Sequence, residues 1–571
     1  MTKTFLTALI VIGFLLMPSR LAFGAPAQWG EEVGPGIEYR LFRLDNPLNN
    51  VFVTRMDRNT PVLTIESSLS RGNVAGDTET VSDMAQRYGD AINYWDRTWG
   101  QRNQVVVAIN GYYFDYGSET AYSGQIHSGW YAKRFTDCAT GSGGSGFAWK
   151  SDRSAFIGES VSHPDTKQVI TFLDNDYLMQ IDGLNVARGD NDLILYTPQY
   201  DSDTGTDSSG VEVLVEMDAP AGVTDGEMVT GTVSQIRKDS GSTPIPFDHV
   251  ILSATGNART ILLENVKSGD QIGISQKIKA YVSDCSTSPT GPDWTDTYAS
   301  IAGAFYFLKD GAIRDYSDDP GAAARAPRTA IAYNDDYIFF IVVDGRDAAH
   351  SLGMTIGELA KFARDKLGAT YGIAEDGGGS STMVINGTVV NNTYCNINSC
   401  KGAISIYIPM VSGSGGLTKS EVDPGNDVSP LPTTQPDKLS ADGLPLTSQY
   451  YVYSQDATGP TLQRLVANGL MMVVVQPREQ SSIFSPGDQV KASSSTDVRL
   501  GPGSNYAVVD TVDAATQGAI VEHPNGLNGV WAKGSYWWKV DFGSIVGWVS
   551  EASISTGSQI GIPLCPDCLP E

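Results

Sequence analysis

Apolar residues recur along this chain with two different periods. Between residues 80 and 99, Met84, Tyr88, Ala91, Ile92 and Trp95 stand at i, i+4, i+7, i+8 and i+11, which predicts a helix with one apolar face packed on a sheet. Residues 355–367 predict a second helix, opened by the capping box Thr355-x-x-Glu358 and closed at Gly368. Each helix is followed by a short apolar run that ends in polar residues: 105–109 before Asn110-Gly111, and 371–374 before Glu375-Asp376. These runs read as strands, and strand ends are where a rigid scaffold can hold reactive groups at an opening. From about 150 to 300 the period falls to two, as in 192–196 and 211–215, with Gly, Asp and Pro turns, which predicts antiparallel β structure. The large part of the chain is therefore expected to be α+β with a strand-rich middle.

The 571 residues allow two to four domains at roughly 100–200 residues each. Lys3, the apolar run 6–17 and the small-x-small triplet Ala22-Phe23-Gly24 form a secretory signal over 1–24, too short to cross a bilayer. A large domain spans 50–411. A stretch rich in Ser, Gly, Pro and Thr at 412–445 reads as a flexible linker, and 446–486 as a connecting segment with a helix in it. A small all-β barrel at 487–556 and a Cys-containing tail at 557–571 complete the chain. The expected location is secreted, periplasmic or surface-associated, with no transmembrane helix after the signal is removed.

Export makes the six cysteines disulfide candidates, with Cys395/Cys400 and Cys565/Cys568 as local pairs and Cys138/Cys285 left over. The net charge of -26 repels a phosphate backbone and argues against nucleic acid as a partner.

Candidate chemistry gathers in two places. Arg328 and Arg346 flank the apolar strand 338–343, and guanidinium forks suit phosphate or carboxylate oxygens. The string Glu375-Asp376-Gly377-Gly378-Gly379-Ser380-Ser381-Thr382 places acids before three glycines and hydroxyls after them, a pattern whose backbone N–H groups suit an anion-binding nest. It lacks the Lys of a nucleotide-binding loop. Five histidines with no HExxH pattern give no catalytic zinc site. No cofactor is required; the Asp-rich stretch 201–207 leaves calcium open, although its spacing is not that of an EF-hand loop.

Five ordered motifs, Asn110-Gly111-Tyr112-Tyr113-Phe114, Leu195-Tyr196-Thr197-Pro198, Pro327-Arg328-Thr329-Ala330, Asp344-Gly345-Arg346 and Asp376-Gly377-Gly378-Gly379-Ser380, resemble the phosphodiester glycosidase family over roughly 52–409. The resemblance implies hydrolysis of a sugar 1-phosphodiester at its glycosidic C–O bond, with a carbohydrate-phosphate as substrate. Asp376, Asp344 and Asn110 become the candidate catalytic residues. Arg328, Arg346, Thr329, Gly377, Gly378, Gly379, Ser380, Ser381 and His127 become the candidate substrate- and phosphate-binding residues. The chain departs from the common family pattern at Tyr112-Tyr113 and at Glu375.

Residues 490–554, with Asp497-Val498-Arg499-Leu500-Gly501-Pro502-Gly503, Trp537-Trp538 and Gly547-Trp548, resemble a bacterial SH3-like domain, which implies binding of a cell-wall peptide or glycan. Trp538 and Trp548 are expected in its core. The leading expectation is a secreted hydrolase acting on a surface polysaccharide or wall polymer. The same fold without turnover would be an exopolysaccharide- or wall-binding protein. A wall-anchored serine amidase or protease would need Ser380 beside His127 or His350.

Overall fold

A computed structural model describes residues 29–138, 145–224, 227–281, 291–396, 451–453 and 463–556. These residues are strand-rich with few helices. The signal at 1–24, the linker at 412–445 and the tail at 557–571 lie outside them. Cys138 is disulfide-bonded, while the side chains of Cys285, Cys395, Cys400, Cys565 and Cys568 also fall outside the described residues, so the expected pairings do too.

Two sheets face each other across the main core. An eight-stranded sheet carries, side by side, Leu48–Asp57, Tyr337–Val343, Arg328–Tyr333 and Tyr371–Ala374. A six-stranded sheet is built on the long strand Thr98–Asn110. Period-two alternation divides their side chains. Ile331, Phe340 and Val342 face Ile65, Val107, Ile109 and Met472 between the sheets, while Ala330, Ala332, Phe339 and Ile341 turn outward under the helix Ile356–Leu367. That helix has both bonds of its capping box and ends on Gly368 in the left-handed conformation, as its sequence predicts. The helix Val81–Tyr88 covers the outer face of the six-stranded sheet through Val81, Met84 and Tyr88. The middle forms an inserted eight-stranded sheet that includes Leu193–Tyr196 and Val211–Met217, antiparallel as expected except at one edge, where Gly183–Leu184 runs parallel to Leu193–Tyr196.

The predicted first helix is too long. It stops at Tyr88, and 92–110 is a hairpin of Ile92–Trp95 with Thr98–Asn110. Asp96 and Arg97 at its tip both have positive φ, 50° and 58°, the backbone of a two-residue turn that matches strand twist. Ile92 and Trp95 fit a helical stripe by spacing alone, but aromatic and β-branched neighbours after Gly89 favour the strand.

Among the described residues of 449–475, which are 451–453 and 463–475, there is no helix. Asn468–Gln476 is a strand, lying between Leu63–Leu69 and Thr98–Asn110 with every side chain before Gln476 buried. Its run Leu470-Met471-Met472-Val473-Val474-Val475 is apolar on both faces, as a strand covered on both sides must be. It contributes Met472 to the main core and Met471 and Val473 to the layer under Val81–Tyr88.

The C-terminal all-β module packs directly on the inserted sheet. His523 Nε2 lies 2.7 Å from Asp248 Oδ2, and Lys539 Nζ 3.3 Å from Glu216 Oε1. Trp538 fills the module's own core beside Phe484, as expected. Trp548 does not. It is buried against Phe247 of the inserted sheet's neighbouring turn, ring centroids 5.8 Å apart, because the two units share one apolar cluster.

Candidate functional site

Register brings the sequence motifs together. Arg328 pairs with Val343, and Ala330 with Ala374, so the start of one strand and the ends of its two neighbours lie at one end of the sheet. Arg328, the turn after Val343 and the loop after Ala374 therefore emerge side by side. Gly345 and Gly377 then both press on the backbone of Pro327. A Cβ on Gly345 would stand 2.7 Å from the Pro327 nitrogen, and one on Gly377 2.7 Å from the Pro327 oxygen. Only glycine permits either approach.

Asn110 ties the second sheet to this edge. Fully buried, it accepts from Thr329 Oγ1 at 2.7 Å and from the Thr382 N–H at 3.1 Å, and its Nδ2 donates to the Asp376 carbonyl at 2.8 Å. Every one of these bonds is within the protein, so Asn110 positions the loop. Thr329 has the same role, through its hydroxyl and through its carbonyl, which accepts from the Glu375 N–H.

Asp376 is nearly buried. Burial raises its pKa, opposed by a 2.6 Å hydrogen bond from Ser380 Oγ and by the charge of Arg464. Arg464 Nη1 donates to Ser380 Oγ at 3.0 Å and lies 3.9 Å from Asp376 Oδ2. Its guanidinium also sits over the exposed Tyr116 ring, 5.3 Å from the centroid. Tyr113, half-buried, has its phenol pushed up to about 12 by burial first and then by Asp376.

Asp344 is held from below by Asn391 Nδ2 at 3.3 Å and the Asn392 N–H at 3.1 Å. Burial outweighs both bonds and pushes its pKa up to about 8. Asn391 also donates to the Ser381 carbonyl and accepts from the Met383 N–H, linking Asp344 to the glycine loop. Glu375 is buried with both carboxylate oxygens lacking hydrogen-bond partners; burial, then the charge of Asp376, holds it protonated well above the usual range.

Part of the nest that the sequence predicts in the glycine loop is spent on the fold. The N–H groups of Gly378, Ser380 and Ser381 donate to the carbonyls of Pro327, Gly377 and Gly378, so they are committed to the fold. Gly378, with φ of +65°, instead makes room for the exposed Arg346: a Cβ there would meet its Nη2 at 3.4 Å. Ser381 Oγ and Thr382 Oγ1 are buried without hydrogen-bond partners. Arg328 spends its Nε on the Met354 carbonyl and its Nη2 on those of Gly321 and Ala324. Two of its five donors are left, with Tyr113 and Arg346 as its electrostatic neighbours.

His127 does not join this group. Its Nδ1 lies 2.7 Å from the Ser67 carbonyl and 3.2 Å from Glu66 Oε1, and it lines a separate cavity of about 390 Å³. His350 is paired with Asp347 at 2.6 Å. Arg464, Asn391 and Tyr116 were not legible as site residues; Arg464 in particular lies in the stretch read as a connecting segment.

The Asp-rich stretch 201–207 serves its own turns: Asp203 accepts from the Gly205 N–H, and Asp207 pairs with Arg188 at 2.8 Å. Among the described residues, Glu216, Asp248 and His523 bring ligand atoms within 4.8 Å of one another. The ammonium of Lys539 already stands beside Glu216, and His249 and His523 both engage Asp248. The ammonium and the two imidazoles thus partner these acids, and the group fits an interdomain hydrogen-bonded network better than a calcium site.

Residues 229–407 match the family model of the phosphodiester glycosidases. The matched stretch contains Arg328, Thr329, Asp344, Arg346, Asp376 and the glycine loop, while Asn110 and Arg464 lie outside it. A search of the curated proteins finds no match. Among solved structures, the chain is similar to a hypothetical protein from Synechocystis at 15% identity and a TM-score of 0.37, covering 62% of this chain and 59% of that one. It is also similar to a putative exported protein from Burkholderia pseudomallei, at 18% identity and 0.37, covering 60% and 71%. A third is the zebrafish N-acetylglucosamine-1-phosphodiester alpha-N-acetylglucosaminidase catalytic domain, at 13% and 0.30, covering 63% and 76%.

Proposed function

We propose that this protein is a secreted hydrolase that cleaves the glycosidic C–O bond of a sugar 1-phosphodiester in a surface polysaccharide or wall polymer. The family match supports hydrolysis of phosphodiester-linked sugars. The observation that carries the finer reading is the shared origin of two acids and two guanidinium groups at one sheet end: Asp344 and Arg346 follow one strand, Asp376 follows another, both loops press on the Pro327 backbone, and Arg328 begins the strand between them.

A phosphate leaving group needs little protonation, so catalysis rests on stabilising charge as the sugar carbon becomes cationic. Asp376 is placed to do this or to activate water, and burial raises its pKa, which makes the carboxylate a stronger base. Ser380 and Arg464 fix its carboxylate. The exposed Arg346 and the uncommitted donors of Arg328 balance the phosphate. Asp344, neutral at pH 7 with a pKa of about 8, is the acid of the pair. Tyr113 and Tyr116 offer ring faces to the sugar.

The test is incubation with a panel of sugar 1-phosphodiesters in oxygen-labelled water. The reading requires free sugar with label at its anomeric carbon. Label in the phosphate, or no turnover by folded protein, defeats it, and the second outcome leaves a wall-binding protein. The serine amidase reading is disfavoured because Ser380 donates to Asp376 and receives Arg464, with no histidine among its hydrogen-bond partners.

The C-terminal module is the proposed wall-binding element. Since Trp537 and Trp548 are spent on docking, the half-buried pair Trp531 and Tyr536, centroids 4.9 Å apart, is the aromatic face left for a ligand.

A further inference from the structure

The two acids of the site keep different company. Asp344 receives hydrogen bonds from Asn391 and the Asn392 N–H, both neutral, and its charged neighbour, Asp347, is another acid. Asp376 receives the Ser380 hydroxyl and stands 3.9 Å from Arg464, whose Nη1 donates to that same hydroxyl. Ser380 is fully buried and Arg464 is 9% exposed, so solvent screens this contact weakly.

Arg464 is placed by the fold on both sides. Beside it, Gln463 accepts from the Ser82 N–H at 3.1 Å and donates to Ser82 Oγ at 2.7 Å, in the first turn of the helix Val81–Tyr88. Two residues on, Val466 exchanges backbone hydrogen bonds with Glu79 at 3.1 and 2.9 Å, and the strand Asn468–Gln476 follows. The Tyr116 ring covers the guanidinium. Its loop is closed by Asp115, which accepts from the Gly117 and Ser118 N–H groups and from the Tyr122 hydroxyl. A guanidinium clamped in this way is a preorganised charge.

The other titratable groups facing Asp376 are Glu375 on its own loop and the phenols of Tyr112, Tyr113 and Tyr116. All are neutral or negative in any state, so none can replace a cation. Of the other two guanidinium groups at this sheet end, Arg328 is bonded to carbonyls and Arg346 lies against Gly378.

We infer that Arg464 is a positioning residue for the reaction: it orients the Asp376 carboxylate through Ser380 and keeps it charged, which makes Asp376 the base and leaves Asp344 the acid. A residue outside the family-matched stretch thereby completes the site. This rests on Asp376 being the working carboxylate of the proposed hydrolase.

Carbon-13 NMR of the full chain, labelled at the aspartate carboxyl carbons, reads both titrations without substrate once the two resonances are assigned by their loss in Asp376→Asn and Asp344→Asn. In the wild type Asp376 is expected to lose its proton at lower pH than Asp344, a comparison that holds whether or not variants at 464 fold. Arg464→Gln keeps a donor for Ser380 but removes the charge. It is expected to raise the Asp376 midpoint by about one pH unit, the scale of an opposite charge at this distance, to move the acidic limb of the kcat/KM profile with it, and to lower kcat more than it changes KM. Arg464→Lys, which keeps the charge, is expected to move both less. Three results overturn the inference: Asp376 titrates above Asp344 in the wild type, Arg464→Gln leaves the midpoint in place, or Arg464→Lys shifts it as far as Arg464→Gln does. Absence of turnover by the wild type defeats the hydrolase reading instead, and the resonances still decide the role of Arg464.

Discussion

Ser380 donates a 2.6 Å hydrogen bond to Asp376 while accepting one of 3.0 Å from Arg464, so the hydroxyl relays a positive charge to a nearly buried acid. Both sequence-adjacent partners lie in the glycine loop, whereas Arg464 arrives from a distant part of the chain just before the strand Asn468–Gln476.

Asp376→Asn is expected to lower turnover of a sugar 1-phosphodiester by about 10²–10⁴-fold, the usual worth of a positioned acid or base. Far-UV circular dichroism should be unchanged. Ser380→Ala keeps the carboxylate but frees it from its hydroxyl, and should lower turnover less while moving the alkaline or acidic limb of the pH–rate profile.

Asp344 sets a pH dependence of stability. Its folded pKa of about 8 exceeds the ordinary carboxylate value, so its contribution is fully favourable below about pH 4 and declines as pH rises toward 8. Asp344→Asn removes that decline. Thermal melting should show the variant gaining on wild type between pH 5 and pH 9, with the largest difference at pH 9, even though activity falls.

Asp248 titrates the other way. Burial would raise its pKa, but the charge and hydrogen bond of His249, with the bond from His523, hold it well below the usual range. Its stabilisation is therefore present above about pH 4 and lost as pH falls through the depressed folded value. Asp248→Asn strips a buried network of its charge and should cost about 3–5 kcal/mol near neutral pH. Denaturant titration of the two proteins at pH 7 checks it.

Gly345→Ala and Gly377→Ala each drive a methyl to 2.7 Å from the Pro327 backbone. Overpacking of this kind costs about 1–3 kcal/mol. The two loops must part to relieve it, so both variants should lose activity more than stability, as measured by turnover beside melting temperature.

A chain ended at residue 411 keeps the whole family match but lacks Asn468–Gln476. It should show no cooperative unfolding transition. Removing only 487–556 keeps that strand while exposing Phe247 and its neighbours, and should leave a folded but less stable protein. Calorimetry of the two truncations separates these outcomes.

Local signals were readable where chemistry and backbone agree. Thr355, Glu358 and Gly368 mark their helix because caps satisfy orphan groups with neighbouring residues. The motifs around Asn110, Arg328, Asp344 and Asp376 could be picked out one by one, and strand register explains why they meet. What sequence could not supply was long-range placement. Arg464 carries no local mark of its role, and His127 looked like a neighbour of Asn110 yet faces another cavity. The glycine string predicted free N–H groups, but whether a loop's donors are free depends on what packs beside it, here the Pro327 carbonyl. Ile92 and Trp95 satisfied helical spacing because short apolar segments fit both periods.

The strand Asn468–Gln476 pairs with Leu63–Leu69 and Thr98–Asn110, partners made hundreds of residues earlier. At ~5–20 residues per second of synthesis, those two strands wait roughly 20 to 80 s for the one that belongs between them. Until it arrives, Ile65 and Val107 have no seam to close. Completion of this sheet thus waits on residues made long after its first two strands, and the gap between them closes only then.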